Sequence, residues 1–244
     1  MKNIITTATL LAAGSALACA EIHTWDNASR TVSGDSVATW NVTGTGLTWT
    51  SGVAESVIFT IDYTSIDTSK SYVLFSVKDV TYNGLTAIGI ENGNILFENW
   101  DDLAATATYA LDNITVEQNL TFVFSRDASN NETLSIYADG NFESVAATLT
   151  GKQNQSFRDK SWVSLDFGGT TGTSYTGNVN NVMPSNDEAE AFSLIAAAYT
   201  VGAVATTEDL IQYGVSAIPE PSAFGLLAGL GALALVGARR RRSR

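Results

Sequence analysis

The sequence predicts an all-β domain, a sandwich or barrel of short antiparallel strands, and three observations carry that expectation. Between residues 37 and 183 apolar and polar positions alternate in run after run, dominated by β-branched and aromatic residues. Asn, Gly and Asp turns separate these runs at intervals of about ten to fifteen residues. No proline precedes Pro184 and no helical period lasts before residue 186. Such strands keep every backbone donor for their ladders, with almost no helix between them.

Residues 37–42 (VATWNV), 57–63 (VIFTIDY) and 72–77 (YVLFSV) read as strands, and 94–98 as a further β-run. One hairpin is nearly legible. Residues 120–126 and 133–138 flank Asp127-Ala128-Ser129-Asn130-Asn131-Glu132, and Asp139-Gly140, a turn dipeptide, leads into 141–149. Residues 162–167 (WVSLDF) form the last alternating strand. Beyond Pro184, Ser185 and Glu188 have the spacing of a capping box and predict a helix over 187–199, packed on the outside or edge of the sandwich. Thr206 with Asp209 predicts a second short helix.

The two ends of the chain are of another kind. Residues 1–20 carry Lys2, an apolar stretch and Ala18-Cys19-Ala20, so that small residues occupy the −3 and −1 positions of a signal-peptidase cut before Glu21. Lipidation of Cys19 is the alternative, with Ala16 where such signals carry Leu. At the far end, 222–238 holds no charged residue and reads as a transmembrane helix of about 25 Å. Arg239, Arg240, Arg241, Arg242 and Arg244 follow, and such clusters stay cytoplasmic. The expected organisation is a signal peptide (1–20), one β domain (21–216) and a C-terminal anchor segment (217–244).

Composition narrows the chemistry. All 25 acidic residues lie between 21 and 220 against seven basic ones, so the exported part has a formal charge near −18. Such a surface repels nucleic acid and suits divalent cations or a hydrated matrix. One Cys and one His exclude a disulfide scaffold, a Cys/His zinc site, and any Cys/His or Ser/His/Asp arrangement not built on His23. His23, close to the new N-terminus, reads as disordered rather than as a ligand. Trp25, Trp40, Trp49, Trp100 and Trp162 are the candidates for stacking on sugar rings. Trp100 stands out, because Asp101 and Asp102 follow it in what reads as a sandwich-end loop. Asp127, Asn130 and Asn131 offer oxygens in one loop and form a candidate Ca²⁺ set, without the Asp-x-Asp-x-Asp-Gly spacing; no other cofactor is expected.

Pro219-Glu220-Pro221, the apolar helix and the terminal arginines resemble the PEP-CTERM sorting signal of Gram-negative bacteria. That resemblance implies processing by exosortase, a membrane cysteine protease or transpeptidase that recognises the Pro-Glu-Pro region and removes the anchor. Signal peptidase and exosortase are then the processing partners, and the membrane is a partner only before cleavage. The two prolines hold the tripeptide extended and outside the helix that follows, accessible at the membrane face.

The hairpin over 120–138, together with Leu165-Asp166-Phe167-Gly168-Gly169 and 175–182, resembles the laminin-G-like, concanavalin A-like jelly roll. The resemblance implies a two-sheet antiparallel jelly-roll sandwich with one or two short C-terminal helices. Glycoside hydrolases on that fold carry Glu-x-Asp-x-Glu or Glu-x-Asp-x-x-Glu on one strand, and no such run occurs here. The expected function is therefore a non-catalytic cell-surface or matrix protein that binds polysaccharide. A secreted glycan-active hydrolase with an atypical site is the alternative.

Overall fold

The computed structural model describes residues 21–26, 28–33, 36–47, 52–79, 83–99, 106–152, 162–169 and 190–213. They form β1 (Glu21–Thr24), β2 (Arg30–Val32), β3 (Ala38–Asn41), β4 (Glu55–Asp62), β5 (Tyr72–Asp79), β6 (Asn83–Glu91), β7 (Asn94–Asn99), β8 (Thr106–Ala110), β9 (Asn119–Arg126), β10 (Asn131–Ala138), β11 (Ala147–Lys152), β12 (Trp162–Phe167) and β13 (Phe192–Val201). One helix, α1 (Thr207–Tyr213), follows. Sheet A runs β1-β13-β4-β9-β10-β11, with β2 also on β13; sheet B runs β3-β12-β5-β6-β7-β8. Every pairing is antiparallel. The chain is a two-sheet jelly-roll sandwich.

Alternation along β4 and β9 builds the core. Val57, Phe59 and Ile61 lie opposite Phe124, Phe122 and Leu120 and turn inward. Phe59 is the hub. Its ring stacks on Phe122 within sheet A at 4.9 Å, and reaches Phe75 and Phe167 of sheet B at 5.5 Å each. Between ring and ring across the sheets, Phe97 also meets Phe124 at 5.8 Å. Aromatic pairs of this kind contribute about 0.5–1.5 kcal/mol beyond their burial.

The expected helix over 187–199 is absent: β13 occupies 192–201, and residues 187–189 lie outside those described. Ala196-Ala197-Ala198 favours helix locally, but β13 is an interior strand, paired to β4 on one side and to β1 and β2 on the other. Sheet pairing and burial of Phe192, Leu194 and Tyr199 outweigh that propensity, which is a weak prior. The second expected helix is present. Thr206 Oγ1 accepts from the Asp209 N–H, and the Asp209 carboxylate accepts from the Thr206 N–H, a reciprocal cap for α1. Strands β6 and β8 were not legible as runs, although Asn92-Gly93, both with left-handed φ (48° and 72°), forms the two-residue turn of the β6–β7 hairpin.

The inward face of sheet A ends in buried charge. Glu55, Arg126 and Glu132 are 2%, 0% and 0% exposed, and register places Arg126 opposite both glutamates. An Arg126 guanidinium nitrogen lies 2.5 Å from Glu55 Oε1. Burial draws the Arg126 pKa below its ordinary value, while Glu55 and Glu132 act in the opposite direction. Replacing one partner of such a set strands the others, whereas replacing all of them removes the desolvation cost. Arg126→Met should lower unfolding free energy by about 3–5 kcal/mol, and the triple change Glu55→Leu, Arg126→Met, Glu132→Leu should recover most of it in urea melts. A single variant as stable as the wild type would show that the triad contributes nothing.

Candidate functional site

Strands β1 and β2 run the same way along β13, but from β2 onward successive strands reverse direction, so each later connection falls at one of two ends of the sandwich. The β3–β4, β5–β6, β7–β8, β9–β10 and β11–β12 connections share the end at which Glu21, Glu55, Arg126 and Val201 meet. The opposite end carries Asp62, Asn119 and Asp139. Strand direction therefore puts the β7–β8 connection and the Asp127-Asn130-Asn131 turn at a single end. Of the two sequence-predicted ligand sets, the first, Trp100-Asp101-Asp102, lies outside the described residues, in the link between β7 and β8, whose register pairs Glu98 with Thr106.

The second set is a turn. Asp127 Oδ1 accepts from the N–H groups of Ser129 (2.8 Å) and Asn131 (2.9 Å), and Oδ2 from Asn131 Nδ2 (2.8 Å). The Asn130 N–H closes the turn on the Asp127 carbonyl, and Asn130 takes a φ of 63°. The Asn131 side chain, its backbone and Ser129 together hold the Asp127 pKa below the ordinary carboxylate range. In this arrangement the carboxylate clasps the β9–β10 hairpin. Among the described residues no group of three His, Cys, Asp or Glu side chains is placed to hold a metal ion.

His23, expected to be disordered, sits in β1 with its ring stacked on Tyr199 at 4.6 Å. Pairing of β1 with β13 imposes that order, which an isolated His at a chain end does not reveal. Trp25 and Trp40 stack face to face at 5.5 Å, and Trp25 also meets Phe167 at 5.8 Å and the Arg30 guanidinium at 5.0 Å. Trp40 meets Tyr199 at 4.9 Å. These rings bridge β1 and β3 and close one edge of the sandwich, so their faces are engaged within the fold.

The C-terminal strap crosses the outer face of sheet A. Here the alternate residues of β4 and β9 pair as Ser56–Ser125, Ile58–Val123 and Thr60–Thr121, with hydroxyl bonds of 2.8 and 2.9 Å at the outer two pairs. The Ala205 N–H donates to Ser56 Oγ at 2.8 Å. Leu210, 1% exposed, packs with Ile58, Val123, Ala198 and Phe142. Ala198 on β13 is small enough to leave room for it. The sequence showed the cap of α1 but not the face that receives it.

Pro219, Glu220, Pro221 and the five arginines lie beyond α1, outside the described residues, as do the signal segment and the expected 222–238 helix. Among the described residues no helix is long and apolar enough to cross a membrane. Residues 217–242 match the PEP-CTERM protein-sorting motif. The chain carries that sorting signal. No curated protein matches the chain. Similar solved structures include the botulinum neurotoxin serotype D binding domain, at 15% identity and a TM-score of 0.47 over 80% of this chain and 46% of that one. Another is the serotype D ligand binding domain in complex with N-acetylneuraminic acid, at 12% and 0.45 over 81% and 46%. The chain spans less than half the length of these proteins.

The end of the sandwich at Asp62 and Asn119 is organised by Asp139. Its carboxylate accepts from the N–H groups of Glu117 (2.9 Å), Gln118 (2.7 Å) and Asn119 (3.0 Å). Burial pushes its pKa up, but the three backbone donors prevail and hold it below the ordinary value. A folded pKa lower than the unfolded one stabilises above the unfolded value, and that stability is lost as pH falls through the folded value. Asp139→Asn should cost about 1–2 kcal/mol at neutral pH, with the gap to wild type closing below about pH 4 in thermal melts. An equal gap at both pH values would remove the carboxylate charge from the account.

Proposed function

We propose that the protein is a non-catalytic exported protein, delivered to the cell surface or extracellular matrix after exosortase removes its anchor. The PEP-CTERM motif at 217–242 carries this reading. Two features agree with it. Glu21, the residue expected to follow the signal-peptidase cut, is held in β1 opposite Val201, so a chain cut there starts inside an ordered strand. Glu55 and Glu132, the two carboxylates that flank one side chain, are buried against Arg126 rather than opposed across a cleft, as glycoside hydrolysis requires. On this reading signal peptidase acts first, the apolar segment 222–238 holds the precursor in the membrane with its arginines inside, and exosortase acts at Pro219-Glu220-Pro221. Mass spectrometry of the surface form should find no residue beyond about Pro221; recovery of intact Arg239–Arg244 there would refute the processing.

We further propose a shallow neutral-glycan site at the Val201 end, with Trp100 as the stacking face and Asp101 and Asp102 accepting sugar hydroxyls. Its support is topological: Trp100 directly follows β7 in sequence, and the β7–β8 connection is one of five that belong to this end. Stacking and one or two charge-assisted hydrogen bonds give affinities on the order of mM to tens of μM, which avidity in a matrix raises. Trp100→Ala should abolish binding of the soluble protein to a neutral polysaccharide panel, without a change in circular dichroism. Equal binding by both forms would remove Trp100 from the site.

A further inference from the structure

We infer that the cut before Glu21 creates a copper site at the start of the folded domain. Its ligands are the freed α-amine of Glu21, the backbone nitrogens of Ile22 and His23, and the His23 imidazole, four nitrogens that suit square-planar Cu²⁺. The inference rests on the signal-peptidase reading above and adds a ligand set that the cut itself makes available.

A histidine in the third position of a chain differs chemically from one anywhere else. Along Glu21-Ile22-His23, amine to amide and amide to amide each close a five-membered ring on a bound ion. The His23 amide and its own Nδ1 close a six-membered ring. In the uncut precursor the first of these nitrogens is locked in the Ala20–Glu21 peptide bond, and the basic amine that begins coordination is missing. A proline at 22 or 23 would remove a required N–H, and the chain has none before Pro184. Cu²⁺ suits four coplanar nitrogens best, and Ni²⁺ binds such a set less tightly. Zn²⁺ has no geometric preference to gain there, and Ca²⁺ and Mg²⁺ take oxygen ligands. Binding passes the two amide protons and the ammonium proton to solvent and moves no electron. The acidic surface of the exported part raises the cation concentration around it.

The fold leaves this tripeptide able to respond. Among the described residues β1 ends the order of sheet A and pairs with β13 alone. The Trp25 N–H donates to the Ala197 carbonyl at 2.9 Å. Antiparallel alternation then directs the Glu21 and His23 nitrogens toward Val201 and Tyr199, and the Ile22 nitrogen toward the open edge. Convergence on one ion therefore requires residues 21–23 to peel from β13. Trp25 stays behind, held by its backbone bond and by its stacking on Trp40 and Phe167. His23 gives up little by leaving. Its Nε2 is buried without a hydrogen-bond partner, the Glu21 carboxylate at 3.3 Å lying outside bonding geometry. That contact also shows the ring turned back toward residue 21, the direction in which the chelate closes. What it loses is the stack on Tyr199 and its place in the ladder.

The test uses the full chain, exported with its own signal in a host without exosortase and extracted from the membrane in detergent. Mass spectrometry first reads its N-terminus; a terminus other than Glu21 would overturn the cleavage reading and the site with it. On the Glu21 form, copper sulfate is titrated in competition with free glycine. One Cu²⁺ should bind, with the visible absorption of a square-planar four-nitrogen complex and nitrogen hyperfine lines in its paramagnetic resonance spectrum, and Zn²⁺ should not displace it. His23→Ala and Ile22→Pro should each lower the affinity at least about a hundredfold, since even outer-shell changes cost metal sites up to that much. Position 22 presents its nitrogen to the open edge of β1, so the proline leaves the ladder intact and circular dichroism unchanged. A precursor kept uncut by Ala18→Asp should bind as weakly as these variants. Undiminished binding by either variant or by the precursor would put the Cu²⁺ elsewhere on the acidic surface and overturn the site. A chain that begins at Glu21 yet gives no four-nitrogen spectrum would overturn it while leaving the cleavage reading in place.

Discussion

The register between β4 and β9 is the constraint on which the rest of the structure depends. Eight consecutive pairs join these strands, from Glu55–Arg126 to Asp62–Asn119. With side chains alternating every residue, a one-residue slip would exchange the two faces. One face now holds Val57, Phe59 and Ile61 against the sandwich core; the other holds Ser56, Ile58 and Thr60 beneath the C-terminal strap. The same register sets Glu55 against Arg126 at one end and leaves Asn119 to close the Asp139 clasp at the other.

Both faces of this strand pair are buried, and their compositions differ for a physical reason. The inner face meets sheet B and is filled by aromatic rings, which supply area and ring–ring contact. The outer face meets a single short helix, which contributes one large apolar side chain, Leu210. It packs on Ile58, Val123, Ala198 and Phe142, and the hydroxyls on either side satisfy one another or the strap backbone. A seven-residue helix has little stability of its own, so α1 owes its position to the cap at Thr206 and to that one anchor. Among the described residues, the element that links the folded domain to its sorting signal is thus held by the Ala205–Ser56 bond and by Leu210.

Much of the architecture was readable because its cause is local. Alternation in 57–63, 72–77, 120–126, 133–138 and 162–167 marks strands with one face to the core. The Asp127–Asn131 turn follows from Asx chemistry. The failure over 187–199 has a definite origin: an alanine run and a capping spacing speak for helix within a window of about ten residues. The β partners that convert it to strand are β4, some 130 residues earlier, and β1, at the other end of the domain. For β8 the signal was weak because TATYA is short and alanine-rich. For β6 the signal lies not in its own run but in the Asn92-Gly93 dipeptide that turns it into β7.

By itself the sequence determined the class of fold, the sorting signal and the residues suited to each turn, because pleat periodicity, bilayer length and turn chemistry each act over a few neighbouring positions. Only the tertiary structure decided which strands are neighbours, which face of β4 meets the core, and which connections share an end. It put the β7–β8 and β9–β10 connections at one end, buried Glu55 and Glu132 around Arg126, and laid the strap over the outer face of sheet A. These are consequences of long-range antiparallel pairing, in which each strand's direction is set by its partner rather than by its own residues.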